Sequence, residues 1–316
     1  MTVFPERISP RSPRVVVAVI VLASLAMLPV IARAAGEPFY ISLVARILIF
    51  ALAACGLNLL LGYGGLVSFG HALYVGLGAY IVGILAASGI ENGWIHLAAV
   101  IVTCAIIAVV TGAISLRTSG MAFIMITLAF GQMFYFLGIS LKQYGGDDGL
   151  QIIERSNLWP LSIQTNTGLY YVAYGFLLLT LYMLWRVVHA RFGRVLRASK
   201  SNAPRMRVLG FPVFRYQLTG FVISGCICGI AGFLLANLTN FTSPAYMFWT
   251  VSGDLIVMVM LGGVATILGP VIGAALLIVL ETVLAAYTQH WMVFLGPIIV
   301  LIALAARRGV YGYLVQ

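Results

Sequence analysis

The chain has 316 residues, of which 62% are hydrophobic and only 8% are charged, and its mean hydropathy is +1.08. This composition excludes a water-soluble globular protein, because too few polar residues are present to cover such a surface, and it predicts an integral membrane protein. The net charge of +10 comes from basic residues in loops and termini, so it indicates membrane orientation rather than nucleic-acid binding. Since one crossing takes about 20 residues, the length allows roughly ten crossings and no large soluble domain.

Successive apolar runs predict an all-α polytopic membrane protein with about ten transmembrane segments. The runs lie near residues 15–32, 40–61, 66–88, 94–115, 118–140, 168–188, 216–238, 250–264, 267–286 and 291–306. The eighth run is short and glycines interrupt the third, so we expect some segments to be short or broken. The first run also resembles a secretory signal that ends in an Ala-Arg-Ala cleavage site, but its length favours a retained helix.

Basic residues predict the orientation, because Lys and Arg in short loops are held on the cytoplasmic side. Ten crossings place both termini in the cytoplasm. Residues 1–14 then form a cytoplasmic segment, residues 15–306 the transmembrane domain and residues 307–316 a cytoplasmic tail. The basic loop 189–215 also falls inside, whereas the acidic segment 141–167 falls outside.

The crossing count depends on residues 250–286. If they formed one span, Arg307 and Arg308 would be driven outside together with the C-terminus. We therefore expect a re-entry or break between Gly262-Gly263 and Gly269-Pro270.

Glycines are denser between Gly62 and Gly78 than helix packing requires. Broken helices are tolerated at membrane depth where they are buried in protein or line a cavity, so this segment is a candidate for the translocation path or its gate. The segment around Gly262 is weakly similar in sequence to the segment around Gly62, and it also interrupts a membrane segment. The candidate path or gate residues are Gly64, Gly65, Ser68, Gly70, His71, Gly262 and Gly263. At His71 a structural hydrogen bond is favoured over a catalytic role.

Charged residues inside the apolar runs are scarce: they are Arg46, Asp254 and Glu281, with Arg186 near the end of a run. Asp254 can cap its helix, Glu281 can form a salt bridge or face a wet cavity, and Arg46 can snorkel or pair with a carboxylate. A carrier coupled to protons or sodium normally uses several buried carboxylates. A secondary transporter or channel for a small solute is therefore the alternative interpretation, and it would require Asp254 and Glu281.

Catalytic motifs are absent from the sequence. Its two lysines, Lys142 and Lys200, do not follow glycine, so no phosphate-binding P-loop exists. The four histidines fall in separate regions and the cysteines lie in apolar runs, which argues against a membrane-embedded enzyme and against a metal site. We expect no catalytic residue, cofactor or metal in this chain. If ATP drives it, another subunit must bind the ATP.

The loop 189–215 carries seven basic residues and no acidic one. Within it Asn202 is a good N-cap, Pro204 suits the first helical turn and Gly210 is a natural stop, which predicts a helix over 203–209. So short a helix is marginal in water unless it is docked on something. The alternative is a solvated loop on anionic membrane lipid; the caps favour docking.

Four sequence blocks follow one another in a specific order. They are residues 56–71 (GLNLLLGYGGLVSFGH), residues 145–150 (GGDDGL), the basic segment 193–218, and residues 258–273 (MVMLGGVATILGPVIG). In this order they resemble the LivM-type permeases of branched-chain amino-acid ABC importers, and the resemblance covers nearly residues 40 to 313.

The resemblance implies a permease subunit of the bacterial inner membrane that works with a second homologous permease, a periplasmic binding protein and two cytoplasmic ATPases, which bind ATP and Mg. It implies that residues 202–210 form a coupling helix in a groove of one ATPase. The implied contact residues are Gly193, Arg194, Arg197, Asn202, Pro204, Arg205, Arg207, Leu209 and Gly210.

Two departures from similar permeases concern these contacts. Similar permeases often carry a glutamate at the position of Ala203, and another after the Ser-Pro pair that precedes Ala245. The second departure lies in an outer loop, so Asp147 and Asp148 become the candidates for docking the binding protein.

Overall fold

The computed structural model describes residues 13–34, 37–161, 163–305 and 309–314, and helices dominate them. Helices α1 to α13 span Pro13–Ala34, Pro38–Asn58, His71–Ala87, Gly93–Ser115, Met121–Ser140, Asn166–His189, Arg191–Ser201, Ala203–Val208, Val213–Thr239, Trp249–Gly262, Gly269–Tyr287, Trp291–Ala305 and Gly309–Leu314. Residues 1–12 of the predicted N-terminal segment lie outside the described residues, as do Arg307 and Arg308.

The apolar runs of the sequence become helices, which confirms the prediction of an all-α polytopic membrane protein. Among the described residues six helices are long and apolar enough to cross a membrane: α4, α5, α6, α9, α11 and α2, the last together with the turn that follows it. Shorter apolar helices are α3, α10, α12 and the part of α1 from Ile20 to Arg33.

Helix α9 lies at the centre of the bundle and packs against α2, α3 and α4. Glycines allow its backbone to come close to α3. A Cβ added at Gly232 would meet the carbonyl oxygen of Val75, and one added at Gly78 would meet the carbonyl oxygen of Gly229. Small residues let helix backbones approach in this way where the lipid gives no hydrophobic drive for association.

Helices α10 and α11 form a close pair around the predicted break. The chain leaves α10 at Gly262, takes a positive φ of 123° at Gly263 and re-enters a helix at Gly269. A Cβ added at Gly273 would meet the carbonyl oxygen of Met258, so the two backbones are in contact. The break is therefore present, and its glycines are required by this close approach.

Polar segments occupy both ends of α9, which is about 40 Å long. At its N-terminal end lie α7 and α8. At its C-terminal end lies the segment between α5 and α6, where strand β1 (Leu150–Gln151) pairs antiparallel with strand β2 (Phe241–Thr242). The guanidinium of Arg155 fixes this second end by donating to side-chain oxygens of Asn240 and Asn166.

Candidate functional site

Helix α8 is the predicted short helix, and both of its predicted caps are formed. The side-chain oxygen of Asn202 accepts a hydrogen bond from the backbone N–H of Arg205 at 2.9 Å. At the other end Gly210 has a φ of 85°, its N–H donates to Arg207, and the N–H of Phe211 donates to Met206. These two bonds are those of a Schellman motif, which satisfies carbonyls that a helix end otherwise leaves free.

The tip of α8 is apolar and exposed. Val208 is 89% exposed and Leu209 is 63% exposed, although both are apolar, and Arg205 and Arg207 stand beside them at the surface. Among the described residues the helix packs mainly on α7 and α9. An apolar tip with a basic rim has the composition of a protein contact surface, because apolar groups in the centre are desolvated while charges stay at the edge.

Helix α7 was not predicted, and it supports α8. Val195, Leu196 and Ser199 form its buried face, whereas Arg191 and Arg194 are exposed. This spacing is that of an amphipathic helix, and it was visible in the sequence beneath the run of basic charge. The loop 189–215 thus contains two helices, of which the sequence predicts only α8.

Gly193 and Arg197, two of the predicted ATPase contacts, hold the corner between α6 and α7. A Cβ added at Gly193 would meet the backbone of Val188. The guanidinium of Arg197 donates to the carbonyls of Val188 at 3.0 Å and of Gly193 at 3.3 Å. Their contacts within the chain thus orient α7, and Arg194 and Arg197 are both exposed at the surface.

Lys200 connects α7 to the end of α2, where the helix widens into a π-helical turn over Leu59–Tyr63. Its ammonium donates to the carbonyl oxygen of Gly62 at 2.9 Å. Its methylene stem lies over Gly65, which has a φ of 70°, and a Cβ added there would stand 2.6 Å from the Cγ of Lys200. A cation is favourable at this position, because the last carbonyls of a helix lack partners and carry partial negative charge.

Asn58 connects the same end of α2 to the break between α10 and α11. Its side-chain oxygen accepts from the N–H of Ala265 at 3.0 Å, and its amide donates to the carbonyl of Thr266 at 2.7 Å. The side chain is 2% exposed. Both glycine-rich segments of the sequence therefore meet at the buried side-chain amide of Asn58. The only sign of this contact in the sequence was a polar residue deep in an apolar run.

The glycines predicted for the path or gate surround this junction. Gly64 is buried and a Cβ added there would stand 2.6 Å from the carbonyl oxygen of Leu60. A Cβ added at Gly262 would meet the carbonyl of Gly269. Gly263 is covered by the start of α13, since a Cβ added at Gly309 would meet its backbone. Each of these positions is one of close backbone approach.

His71 lies at the start of α3 in a buried hydrogen-bond chain. Its Nε2 is 2.8 Å from the hydroxyl of Ser224, and its Nδ1 is 3.0 Å from the hydroxyl of Ser68. Ser224 donates its single proton to the carbonyl of Gly56 at 2.6 Å, so Nε2 carries the proton and Nδ1 accepts from Ser68. Both ring nitrogens are satisfied, in agreement with a structural role.

Gly70 precedes His71 and packs on α5. A Cβ added at Gly70 would stand 2.7 Å from the carbonyl oxygen of Thr127. The hydroxyl of Thr127 accepts from the N–H of Phe69 at 3.2 Å. Hydrogen bonds thus connect the non-helical residues after the π-helical turn to α5, through Thr127, and to α9, through His71.

Asp147 and Asp148 are exposed on a tight turn at the opposite end of the bundle. Positive φ angles of 87° at Gly145 and 81° at Gly149 shape this turn. The turn stands beside β2, because a Cβ added at Gly149 would be 2.5 Å from the carbonyl oxygen of Thr242. Two adjacent carboxylates are therefore presented to solvent on a defined backbone.

The sequence is similar to permease subunits of known transport systems. The high-affinity branched-chain amino acid transport system permease protein LivM of Salmonella typhimurium is 26% identical over 83% of this chain and 67% of its own length. LivH of Escherichia coli is 25% identical over 83% of this chain and 91% of its own length. The autoinducer 2 import system permease protein LsrC of Shigella flexneri is 25% identical over 57% of this chain and 54% of its own length.

No solved structure is significantly similar to the chain. The family of the branched-chain amino acid transport system permease component matches residues 39–304, which include both glycine-rich segments, α7 and α8. The chain therefore belongs to the family of permease components of branched-chain amino acid transport systems, and it is a membrane permease subunit rather than an enzyme.

Proposed function

We propose that this permease moves branched-chain amino acids, or related small solutes, from a periplasmic binding protein into the cytoplasm, driven by ATP that other subunits hydrolyse. The relatives LivM and LivH are permeases of branched-chain amino acid transport systems, which supports the solute class. The observation that carries the proposal is α8, a helix capped at both ends that exposes Val208 and Leu209 beside basic residues.

The proposed topology has ten crossings, with both termini on the cytoplasmic side of a bacterial inner membrane. It rests on the match between apolar runs and helices and on the concentration of basic residues in α7 and α8. It puts α7, α8, the π-helical turn and the break after Gly262 on the cytoplasmic side. Asp147 and Asp148 then face the periplasm, where we propose that they contact the binding protein.

The proposed complex contains this chain, a second homologous permease and two ATPases that hold ATP and Mg. In it α8 occupies a groove of one ATPase. Val208 and Leu209 fill the groove, whereas Arg194, Arg205 and Arg207 set orientation and register more than affinity, as charges at the rim of an interface do. Asn202, Pro204 and Gly210 act by fixing the shape of the helix.

The motion of α8 passes to the membrane through contacts that the chain already makes. Helix α7 carries α8, Lys200 holds the last turn of α2, and Asn58 holds the break between α10 and α11. A shift of α7 therefore pulls on two interrupted membrane segments together. We propose that this junction, with Gly64, Gly65 and Gly263 around it, is the cytoplasmic gate, and that Ser68, Gly70 and His71 anchor it to the bundle.

The test of docking changes the tip of α8. Leu209→Asp removes the apolar contact, and Gly210→Pro removes both the positive φ and an N–H of the cap. Both variants should insert into the membrane normally, yet uptake of labelled leucine per ATP hydrolysed should fall at least tenfold in the reconstituted complex. Ser119→Asp is the matched control, because it puts the same charge on an exposed residue of another cytoplasmic loop.

Normal uptake by the two α8 variants, with the ATPases bound at wild-type yield, contradicts the docking assignment. A secondary transporter or channel is the alternative function. It is favoured only if uptake proceeds without ATPase subunits, in which case Asp254→Asn or Glu281→Gln should abolish that uptake.

A further inference from the structure

Three helices that pack on one another carry the only Asp, Glu, Lys or Arg side chains well within the apolar runs. Helices α2, α10 and α11 are in mutual contact, and they carry Arg46, Asp254 and Glu281 respectively. At 1.5 Å per residue these residues lie about 12, 8 and 9 Å from the ends of their helices. The opposite ends of the three helices meet at Asn58, Ala265 and Thr266, so these ends lie together on the other side of the bundle.

The three side chains are accessible near one end of these helices. Arg46 and Asp254 are exposed and Glu281 is partly buried. They lie on neighbouring helices, each within about 12 Å of its helix end on the same side of the bundle. Within the described ranges none of the three forms a hydrogen bond or a close ion pair, and the guanidinium of Arg46 lies 5.7 Å from the ring centroid of Phe50 on its own helix.

Lipid hydrocarbon is an unfavourable environment for these three charges. Charged groups at membrane depth face protein or water, because the hydrocarbon offers them no hydrogen-bond partners. A long arginine side chain can reach the interface by snorkelling, but an aspartate and a glutamate at this depth are too short to do so. We therefore expect these side chains to line a wet path or an interface with another subunit.

The set of charges matches the charged groups of a free amino acid. A guanidinium binds a carboxylate through two parallel hydrogen bonds. An ammonium has three donors, and the oxygens of two carboxylates offer acceptors for all of them. A solute that carries one carboxylate and one ammonium would therefore find a partner for each group among these three side chains.

We propose that Arg46, Asp254 and Glu281 form a binding site in the periplasmic half of the translocation path, where the second permease completes the wall. Arg46 binds the α-carboxylate of the amino acid, and Asp254 and Glu281 bind its α-ammonium. The site thus selects zwitterionic amino acids by their common backbone groups, whatever their side chain. This inference rests on the proposed function and adds the site at which the solute is held.

The experiment uses the complete reconstituted transporter with the loaded binding protein. Arg46→Met, Asp254→Asn and Glu281→Gln remove one charge each at nearly constant volume. Uptake of labelled leucine should fall at least tenfold in each, while assembly and ATP hydrolysis stay within twofold of wild type. Arg46→Lys should recover part of the uptake, since a cation is restored without the planar fork. Arg186→Met is the control, because it removes an exposed arginine from the end of α6.

Three outcomes overturn the site. Uptake unchanged in all three neutral variants shows that the charges do not contact the solute. Loss of the second permease from the purified complex, in these variants and in Arg46→Lys alike, assigns the charges to subunit contact alone. A change of uptake in Arg186→Met that equals the change in Arg46→Met shows an unspecific effect of arginine removal. Failure of the wild-type complex to transport leucine would instead contradict the proposed function.

Discussion

Replacement of Lys200 by methionine tests whether α7 controls the end of α2. Methionine keeps most of the apolar stem that lies over Gly65 but cannot donate to the carbonyl of Gly62 at 2.9 Å. A hydrogen bond to a charged group contributes about 1.5–3 kcal/mol, and the exposure of Lys200 places this one at the lower end. This free energy already includes the favourable interaction between the ammonium of Lys200 and the negative end of the helix dipole.

A loss of about 1.4 kcal/mol corresponds to a tenfold change in an equilibrium constant. The bond from Lys200 to the carbonyl of Gly62 makes the gate follow the movement of α7. Without this bond, the equilibrium between gate positions that follow α8 and positions that do not should shift about tenfold toward the latter. We therefore expect Lys200→Met to lower leucine uptake per ATP hydrolysed about tenfold, with ATP hydrolysis within twofold of wild type.

The assay measures ATP hydrolysis and uptake in the same liposomes. Lys142→Met is the matched control, because Lys142 is the only other lysine, is exposed, and lies at the opposite end of the bundle. Wild-type uptake per ATP in Lys200→Met would refute the link. Equal losses in both lysine variants would show that the loss is not specific to Lys200.

The remaining predictions concern the junction and its anchors. Asn58→Leu keeps the side-chain volume but leaves the N–H of Ala265 and the carbonyl of Thr266 without their partner. This loss should cost about 2–4 kcal/mol of folding free energy and lower the melting temperature in detergent. An unchanged melting temperature contradicts the contact. Asn202→Ala removes the N-cap of α8, costs about 1 kcal/mol of helix stability and should weaken ATPase binding about fivefold in a pull-down titration, whereas Asn202→Ser should restore it. Gly70→Leu should abolish folded yield rather than transport alone, because the backbone of α5 leaves no room; a folded, ATPase-bound variant without transport would favour a direct gating role.

Local signals were sufficient to predict α8, because an N-cap at Asn202 and a stop at Gly210 act within one or two turns of the chain. The break after Gly262 was predictable from charge parity. In contrast, α7 was missed because its basic residues dominated the composition of the loop, although Val195, Leu196 and Ser199 had helical spacing.

The contacts of Lys200 and Asn58 could not be predicted from local sequence. Lys200 contacts a carbonyl 138 residues away in the chain, and Asn58 contacts backbone groups 207 and 208 residues away. Every residue type has the same backbone groups, so the sequence does not show which backbone group a polar side chain will contact. Such contacts can be identified only once the packing of the helices is known. The same holds for Gly70, whose lack of a side chain is explained by the approach of α5.

The most direct test of the central claim is the energy source for uptake by the reconstituted complex. Liposomes that contain both permeases and the ATPases, supplied with the loaded binding protein, should accumulate labelled leucine only when ATP is present on the ATPase side. Ionophores that collapse proton and sodium gradients should leave this uptake unchanged. Uptake that proceeds without ATP and stops when those gradients are collapsed would contradict the account.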